Sequence, residues 1–320
     1  MLLRRGYGML EEGKIYRLVT RSDFDGLVCA ILLKDKNLIN EIVFVHPKDM
    51  QDGKINITNL DITTNLPYVP GVAMAFDHHL SETIRNQRSL DNHIIDPNAP
   101  SATRVVYDYL GGAEQFPDIN SDMLEAVDKS DSAQFSLGEI LNPSGWVLLN
   151  FLMDARTGLG RFKDFRVSNY NLMMQLIDFC KTHSIDQILS LADVKERVDL
   201  YFEQETLFKE QIRRCAQVHQ NVVVLDLRNE ETIYAGNRFL VYALFPDCNI
   251  SVHILWGLKQ QNTVFAVGKS IIDRTSQTNI GELMLEYGGG GHENAGTCQV
   301  DHDQSDRVLQ ELVACMVADG

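Results

Sequence analysis

Two short motifs contain the residues of this sequence whose types and spacing could do chemistry. Asp23–Gly26 (DFDG) lies where an apolar segment changes to a helical pattern, and Asp77–His79 (DHH) directly follows the apolar segment Val72–Phe76. Two carboxylates one residue apart can both face a pair of metal ions, and Gly26 permits a close approach of the backbone there. Neutral imidazole is a common ligand of divalent transition metals. The two motifs therefore predict a metal site, and exposed loop residues are the alternative for Asp77–His79.

Single acidic residues elsewhere could complete such a site. An aspartate before a helix is also a common N-cap, so for Asp23–Gly26 alone a capping role stays open. Each single acid by itself is typical of a cap or a surface charge. In combination they could supply the bridging carboxylate that two closely spaced cations need. The acids in question follow predicted strands or helices and are Asp61, Asp96, Asp128 and Asp131.

A glycine run near the end of the chain is the other motif with chemical potential. Gly288–Gly291 is followed by His292. Successive glycines permit positive φ and expose backbone N–H groups, which predicts an anion-binding nest. A flexible turn is the alternative. A dinucleotide-binding loop is disfavoured, because it needs a strand before it and a helix after it, and here the order is reversed.

The elements that must position the first two motifs alternate between apolar strands and helices. Ile15–Thr20, Ile42–His46 and Val72–Phe76 are predicted strands, and Gly26–Lys36 is a predicted helix. Continuous apolar strands separated by helices are typical of a parallel, doubly wound sheet. Ligands of such sheets bind beyond the carboxyl ends of the strands. This is where we expect the acidic and histidine residues to meet.

The second half of the chain changes pattern twice. Residues 166–218 have the pattern of two long helices broken near residues 182–184, and strands are predicted again after Gln220. We therefore expect three parts: a metal-binding catalytic domain at 1–165, a helical linker at 166–218 and a substrate-binding domain at 219–320. The fold class is α/β, with a doubly wound, mainly parallel sheet joined by long helices to a smaller α/β domain with a mixed sheet.

Length, charge and cysteine usage restrict the class of protein. The 320 residues are 44% hydrophobic, which is enough for two cores. A net charge of −15 favours a short phosphate-bearing substrate over long nucleic acid, which usually needs a basic surface. No apolar run is long enough to span a membrane, no signal peptide is seen, and the six cysteines are scattered. We expect a cytoplasmic protein; a homodimer stays open.

Taken in order, the motifs resemble the DHH–DHHA1 family of phosphoesterases over nearly the whole chain. The resemblance implies that Asp77 is a support at the strand end or an outer metal ligand, and that His79 faces the substrate. Asp131 resembles the fourth metal-binding motif, with Asp128 as a competitor for that role. The metal ligands implied by the resemblance are Asp23, Asp25, Asp61, His78 and Asp131. The substrate-binding residues implied by it are His79, Gly289, Gly290, Gly291 and His292.

Two features fit the family pattern less closely. Many members have a histidine ligand a few residues before the first aspartate, whereas this chain reads VTRS before Asp23. One cation should then have one protein ligand fewer, and Arg21 could instead approach the substrate phosphate. Ser270 and Arg274 lie where the family often has polar residues that contact phosphate.

The resemblance and the ligand types together imply an enzyme. Oxygen and imidazole ligands suit Mn²⁺, with Co²⁺ or Mg²⁺ as alternatives, and we expect two ions that activate water for attack on phosphorus. His79 and the glycines of the second domain would hold the phosphate oxygens. The expected substrate is a short phosphodiester such as a di- or oligonucleotide. Exopolyphosphatase activity and, less favoured, a non-catalytic nucleotide-binding module are the alternatives.

Overall fold

The first sheet has five strands in the order β2-β1-β3-β4-β5. The computed structural model describes residues 10–11, 13–79, 82–83, 90–162 and 165–320. Every pairing in this sheet is parallel, so the carboxyl ends of its strands share one edge. The predicted α/β class with a parallel first sheet is confirmed. The strands are β1 (Tyr16–Arg21), β2 (Ile39–Val45), β3 (Asp61–Thr64), β4 (Met74–Asp77) and β5 (His93–Ile95).

Helix α1 (Phe24–Asp35) follows β1 and is buried over most of its length. Asp23 is its N-cap, and the side chain of Asp23 accepts a hydrogen bond of 3.0 Å from the backbone N–H of Gly26. A Cβ atom at Gly26 would lie 2.1 Å from the backbone oxygen of Arg21, so only glycine fits here. The apolar run Leu27–Leu33 is buried on every side, as expected for a helix enclosed by a sheet and other helices.

The helices that follow the first strands supply further parts of the site. Ser101 caps the helix that begins at Ala102 (α3) by accepting a hydrogen bond of 3.0 Å from the N–H of Arg104. The predicted break near residues 182–184 is also present, because α8 ends at Thr182 and Ser184 caps α9. These helices are α2 (Pro47–Gln51), α3 (Ala102–Tyr109), α4 (Gly112–Gln115), α5 (Ser121–Asp131), α6 (Leu137–Leu141), α7 (Gly145–Met153), α8 (Asn169–Thr182), α9 (Ile185–Ser190) and α10 (Ala192–Cys215).

The second sheet has six strands in the order β10-β11-β9-β8-β7-β6 and is mixed. Only β7 and β8 pair in parallel. One face packs Val252, Phe265 and Val267 against helices α12 and α13 to form a core. The elements are β6 (Ala216–His219), β7 (Val222–Asp226), α11 (Leu240–Leu244), β8 (Ile250–Trp256), β9 (Thr263–Lys269), α12 (Ile280–Glu286), β10 (Gly290–His292), β11 (Ala295–Val300) and α13 (Ser305–Asp319).

The described residues form two compact units. The first contains the described residues up to 134 together with 144–155 and 160–198, and the second contains 135–143, 156–159 and 199–320. Within the second unit, the N–H of Gly236 donates to the backbone oxygen of Thr157 over 2.9 Å. The domain bounds at 165 and 218 stay a prediction. No helix in the described ranges has the length and apolarity needed to cross a membrane.

Candidate metal and catalytic site

Asp25 lies in the first turn of α1 and is only 2% exposed. Its carboxylate accepts hydrogen bonds from two backbone N–H groups at the start of α3, from Ala102 over 3.1 Å and from Thr103 over 2.7 Å. Burial and then the charge of Asp131 raise the pKa of Asp25 to about 7. Such a buried carboxylate beside a second one is costly unless a positive charge lies nearby.

His78 and Asp131 meet beside this carboxylate. Nδ1 of His78 lies 3.2 Å from the backbone oxygen of Ala99, which leaves Nε2 directed at Asp131, 2.6 Å from its Oδ2. Burial lowers the pKa of His78, but the contact with Asp131 outweighs it and raises the pKa to about 9. Burial raises the pKa of Asp131, and His78 more than reverses that shift, so the pKa is lowered.

The three side chains have the arrangement of a cation site. One ligand atom from each of Asp25, His78 and Asp131 lies within 4.8 Å of the other two. Nε2 of His78, although close to Asp131, is buried without a hydrogen bond of acceptable geometry, and so is Oδ2 of Asp77. Buried polar atoms of native proteins are rarely left unsatisfied without a functional reason. Two carboxylates and an imidazole suit a divalent cation such as Mn²⁺, so the residues present fit one.

Asp77 orients the histidine pair. It ends β4, is fully buried, and its Oδ1 accepts hydrogen bonds from the N–H groups of His78 over 2.8 Å and His79 over 3.3 Å. The same oxygen lies 2.7 Å from Nδ1 of His79. Burial lowers the pKa of His79, and the bond and charge of Asp77 more than compensate, so the pKa is raised. These contacts place Asp77 against both histidines, and its role as a support at the strand end or as an outer ligand stays a prediction.

Asp61 is not at this site, and its prediction as a metal ligand is wrong. It begins β3, and it is paired in register with Arg17 near the start of β1, whereas Asp23 and Asp25 follow the end of β1. Oδ1 of Asp61 lies 2.7 Å from Nε of Arg17, and Oδ2 accepts from the N–H of Thr58 over 2.6 Å. A rise of about 3.3 Å per residue separates the two ends of the strand by roughly 10 Å.

Asn65 is the residue that sequence reasoning missed. It directly follows β3 at the carboxyl edge of the sheet, has a positive φ of 55° and is 1% exposed. Its Nδ2 lies 3.4 Å and 3.5 Å from the two carboxylate oxygens of Asp23, and its Oδ1 has no hydrogen-bond partner. Nε of Arg21 lies 2.9 Å from Oδ2 of Asp23. β3 ends at Thr64, and Asn65 is the first residue after that end.

The other candidate acids, Asp96 and Asp128, do not belong to the cluster of Asp25, His78 and Asp131. Asp128, the competitor of Asp131, accepts a hydrogen bond of 3.1 Å from Nε of Arg104 and one of 2.7 Å from the hydroxyl of Ser101. Asp96 accepts from the N–H of Asn98 over 2.9 Å and is exposed. Of the two competitors, it is therefore Asp131 that contacts His78.

The glycine run has a different structure from the predicted nest. Among its glycines only Gly288 has a positive φ, and Gly290 and Gly291 belong to β10, which pairs with β11. A Cβ atom at Gly289 would lie 2.1 Å from the backbone oxygen of Thr297. The interpretation as an open nest is therefore wrong, because close packing against β11 demands glycine at positions 289 and 291. Their binding of substrate, with His292, stays a prediction.

Ser270 and Arg274 lie in the loop after β9. The buried hydroxyl of Ser270 accepts hydrogen bonds from the N–H groups of Ile272 over 3.1 Å and Asp273 over 3.0 Å. Nε of Arg274, an exposed residue, donates to the backbone oxygen of Ile271 over 3.2 Å. Ser270 thus stabilises the turn, and a substrate contact of Arg274 stays a prediction.

Comparison with known proteins shows the family to which this chain belongs. PggH of Vibrio cholerae, a pGpG-specific phosphodiesterase of known structure, is 64% identical to this chain, with coverage of 95% of this chain and 100% of PggH and a TM-score of 0.85. This chain is a phosphodiesterase of the DHH–DHHA1 family. The predictions of an enzyme and of phosphodiester hydrolysis are confirmed.

More distant relatives carry less weight. RecJ of Thermus thermophilus in complex with Mn²⁺ is 13% identical, with coverage of 97% of this chain and 53% of RecJ and a TM-score of 0.53, which supports the fold alone. An A-adding tRNA nucleotidyltransferase of Aquifex aeolicus is 25% identical over 117 residues, which are 34% of this chain and only 14% of that enzyme. No protein-family model matches the chain.

Proposed function

We propose that this enzyme hydrolyses pGpG to two molecules of GMP. The observation that carries the proposal is the identity of 64% to PggH, a pGpG-specific phosphodiesterase, over the whole length of that protein. The negative net charge of −15 is consistent with a dinucleotide rather than a long polymer as substrate. The expected cytoplasmic location and the homodimer stay predictions.

Asp25, His78 and Asp131 would hold the divalent cation. Nδ1 of His78 is 3.2 Å from the oxygen of Ala99, and this contact fixes the tautomer that presents the lone pair of Nε2. The N–H groups at the start of α3 hold the carboxylate of Asp25 in place. A bound cation lowers the pKa of water and polarises a phosphoryl oxygen, which makes hydrolysis accessible near neutral pH. Mn²⁺ is the preferred ion in this proposal, with Mg²⁺ and Co²⁺ as competitors.

His79 and Arg21 would hold the substrate phosphate. Asp77 fixes the ring of His79 through Nδ1, so Nε2 is the atom that can donate to a phosphoryl oxygen. Arg21 ends β1 at the same edge of the sheet, and its forked guanidinium matches the geometry of a phosphate. In the second unit, the candidates for binding substrate are Gly289, Gly290, Gly291, His292 and Arg274.

The test is a product assay with the purified full-length enzyme. The protein is stripped with a chelator, resupplied with Mn²⁺, Mg²⁺ or Co²⁺, and incubated with pGpG, pApA, a longer oligonucleotide and polyphosphate. We expect GMP from pGpG only after a cation is added, and the highest rate for pGpG. Absence of GMP with every cation, or equal rates on all substrates, would contradict the proposal. Release of orthophosphate from polyphosphate would favour the alternative function.

A further inference from the structure

The carboxylate of Asp23, the first aspartate of the DFDG motif, is already engaged by protein groups. Its Oδ1 accepts the capping hydrogen bond of 3.0 Å from the N–H of Gly26, and its Oδ2 lies 2.9 Å from Nε of Arg21. The amide of Asn65 approaches both oxygens, over 3.4 Å and 3.5 Å. The carboxylate of Asp23 therefore interacts with a backbone N–H of α1, with the guanidinium of Arg21 and with the side-chain amide of Asn65.

The end of β3 contributes no charge beside Asp23. β3 lies between β1 and β4, the two strands that lead to the DFDG and DHH motifs, so a carboxylate at its end could bridge two cations. Asn65 stands there instead, and the acid nearest in sequence, Asp61, is bound to Arg17 at the opposite end of the strand. A neutral amide is a weaker ligand for a hard divalent cation than a carboxylate is.

The neighbouring cluster of Asp25, His78 and Asp131 differs from Asp23 in the groups that contact its carboxylates. Asp25 and Asp131 supply two carboxylates, and within the described ranges neither forms an ion pair with a lysine or arginine. Their nearest polar partners are the N–H groups of Ala102 and Thr103 for Asp25, and His78 for Asp131. The position of Asp25 and Asp131 therefore holds two carboxylates that share the imidazole of His78, and Arg21 acts on Asp131 only through its charge, whereas Asp23 is in direct contact with Arg21.

We infer that the enzyme binds one divalent cation tightly, at Asp25, His78 and Asp131, and that the guanidinium of Arg21 takes the place of a second cation beside Asp23. The inference rests on the proposed cation-dependent function and modifies the expectation of two ions. A second divalent cation near Asp23 would have to overcome the repulsion of a guanidinium that already contacts the carboxylate. Arg21 remains available to share charge with a phosphoryl oxygen, as a second cation would.

Counting Mn²⁺ per chain tests this inference. We expect isothermal titration calorimetry of the stripped wild-type enzyme to give one tight site, and electron paramagnetic resonance to show the spectrum of an isolated Mn²⁺ ion. In the double variant Arg21→Ala with Asn65→Asp, a second Mn²⁺ should bind roughly tenfold or more tightly than any second ion in the wild type. An exchange-coupled spectrum should then appear.

Matched variants at position 21 test whether the positive charge of Arg21 excludes the second ion. Arg21→Lys keeps the positive charge and should stay at one ion, whereas Arg21→Gln removes the charge while keeping a donor and should weaken the exclusion of the second ion. Arg21→Gln also serves as the test if circular dichroism shows the double variant to be unfolded. Asp131→Asn should lose the single tight site.

Two outcomes overturn the inference. One is a wild-type enzyme with two tight ions or an exchange-coupled spectrum, and the other is a folded double variant that still binds only one. If the wild type binds two ions and hydrolysis of pGpG depends on them, the inference fails and the proposed function stands. If hydrolysis continues at full rate in excess chelator with no ion bound, the cation-dependent function itself fails.

Discussion

Oδ1 of the buried Asp61 lies 2.7 Å from Nε of Arg17, at the end of β1 and β3 that points away from Asp25 and His78. The pair links the amino-terminal ends of β1 and β3. Oδ2 of Asp61 accepts hydrogen bonds from the N–H and the hydroxyl of Thr58. The carboxylate of Asp61 is only 1% exposed, whereas the side chain of Arg17 is 30% exposed. This relationship distinguishes a structural aspartate from the site aspartates.

Asp61→Asn should therefore lower stability and leave the chemistry intact. The free energy of unfolding should fall by about 1–3 kcal/mol, since the substitution removes the charge of Asp61 from a half-buried pair with Arg17 and one acceptor from the N–H of Thr58. Urea unfolding measures the loss, and pGpG hydrolysis at a temperature where the variant is folded measures activity. A folded Asp61→Asn protein that no longer binds Mn²⁺ would show that Asp61 belongs to the metal site after all.

Asp131→Asn should abolish both cation binding and hydrolysis. The substitution removes a ligand charge and the partner of His78 Nε2, so we expect the rate to fall at least about 100-fold. Asp128→Asn is the matched control, because it changes the same residue type on the same helix but affects Arg104 rather than His78. Hydrolysis and calorimetry are the measurements, and equal losses in the two variants would contradict the assignment.

Gly289→Ala and Gly290→Ala should separate packing from binding in the glycine run. The new Cβ would collide with the oxygen of Thr297 at position 289, whereas nothing lies within 4 Å at position 290. We expect Gly289→Ala to lose about 1–3 kcal/mol of stability and Gly290→Ala almost none. If the strand face at 290 binds substrate, the methyl group there should raise KM for pGpG without lowering the melting temperature. A stable Gly289→Ala protein would contradict the packing explanation.

His253 on β8 should make the protein less stable in mild acid. Burial and then the charge of Arg238 lower its pKa from 6.5 to about 4. The unfolded chain therefore binds more protons between these values, so this contribution is complete above about pH 6.5 and is lost as the pH falls toward about 4. The full shift corresponds to about 3 kcal/mol, and partial exposure of the ring reduces the effect to about 1–2 kcal/mol.

Urea unfolding at about pH 7.5 and about pH 5 checks this pH dependence. His253→Gln should lose less stability than the wild type between the two values, because it removes the proton uptake of the unfolded state. His219→Gln is the matched control, since His219 is exposed on β6. Identical pH profiles for the wild type and His253→Gln would show that His253 is not the group responsible.

Apolar pattern predicts most of the strands and helices, but it misplaces one strand. β3 reads Asp-Ile-Thr-Thr, and its threonines are buried at the centre of a sheet without looking apolar. Asp61 is predicted to follow the end of an element, whereas β3 begins there. The true end, Asn65, is neutral, so a search for carboxylates could not find it.

Local sequence also could not reveal which neighbours surround a motif. The DHH motif is correctly predicted to follow a strand end because Val72–Phe76 is strongly apolar and its end is clear. The prediction for the glycine run is wrong because its need for glycine comes from β11, a strand that follows it and packs against it. Likewise Asp128 and Asp131 look alike in sequence, and only their partners Arg104 and His78 distinguish them.

The second unit has a practical consequence for anyone who wishes to express it separately. The second unit consists of residues 135–143, 156–159 and 199–320. The amide of Asn237 donates to the oxygen of Ile140 over 3.3 Å, and Phe135 packs on Phe239 with ring centroids 5.7 Å apart. A recombinant fragment that starts after α10 would lack these early segments, so a soluble half-protein needs them spliced in or supplied as peptides in trans.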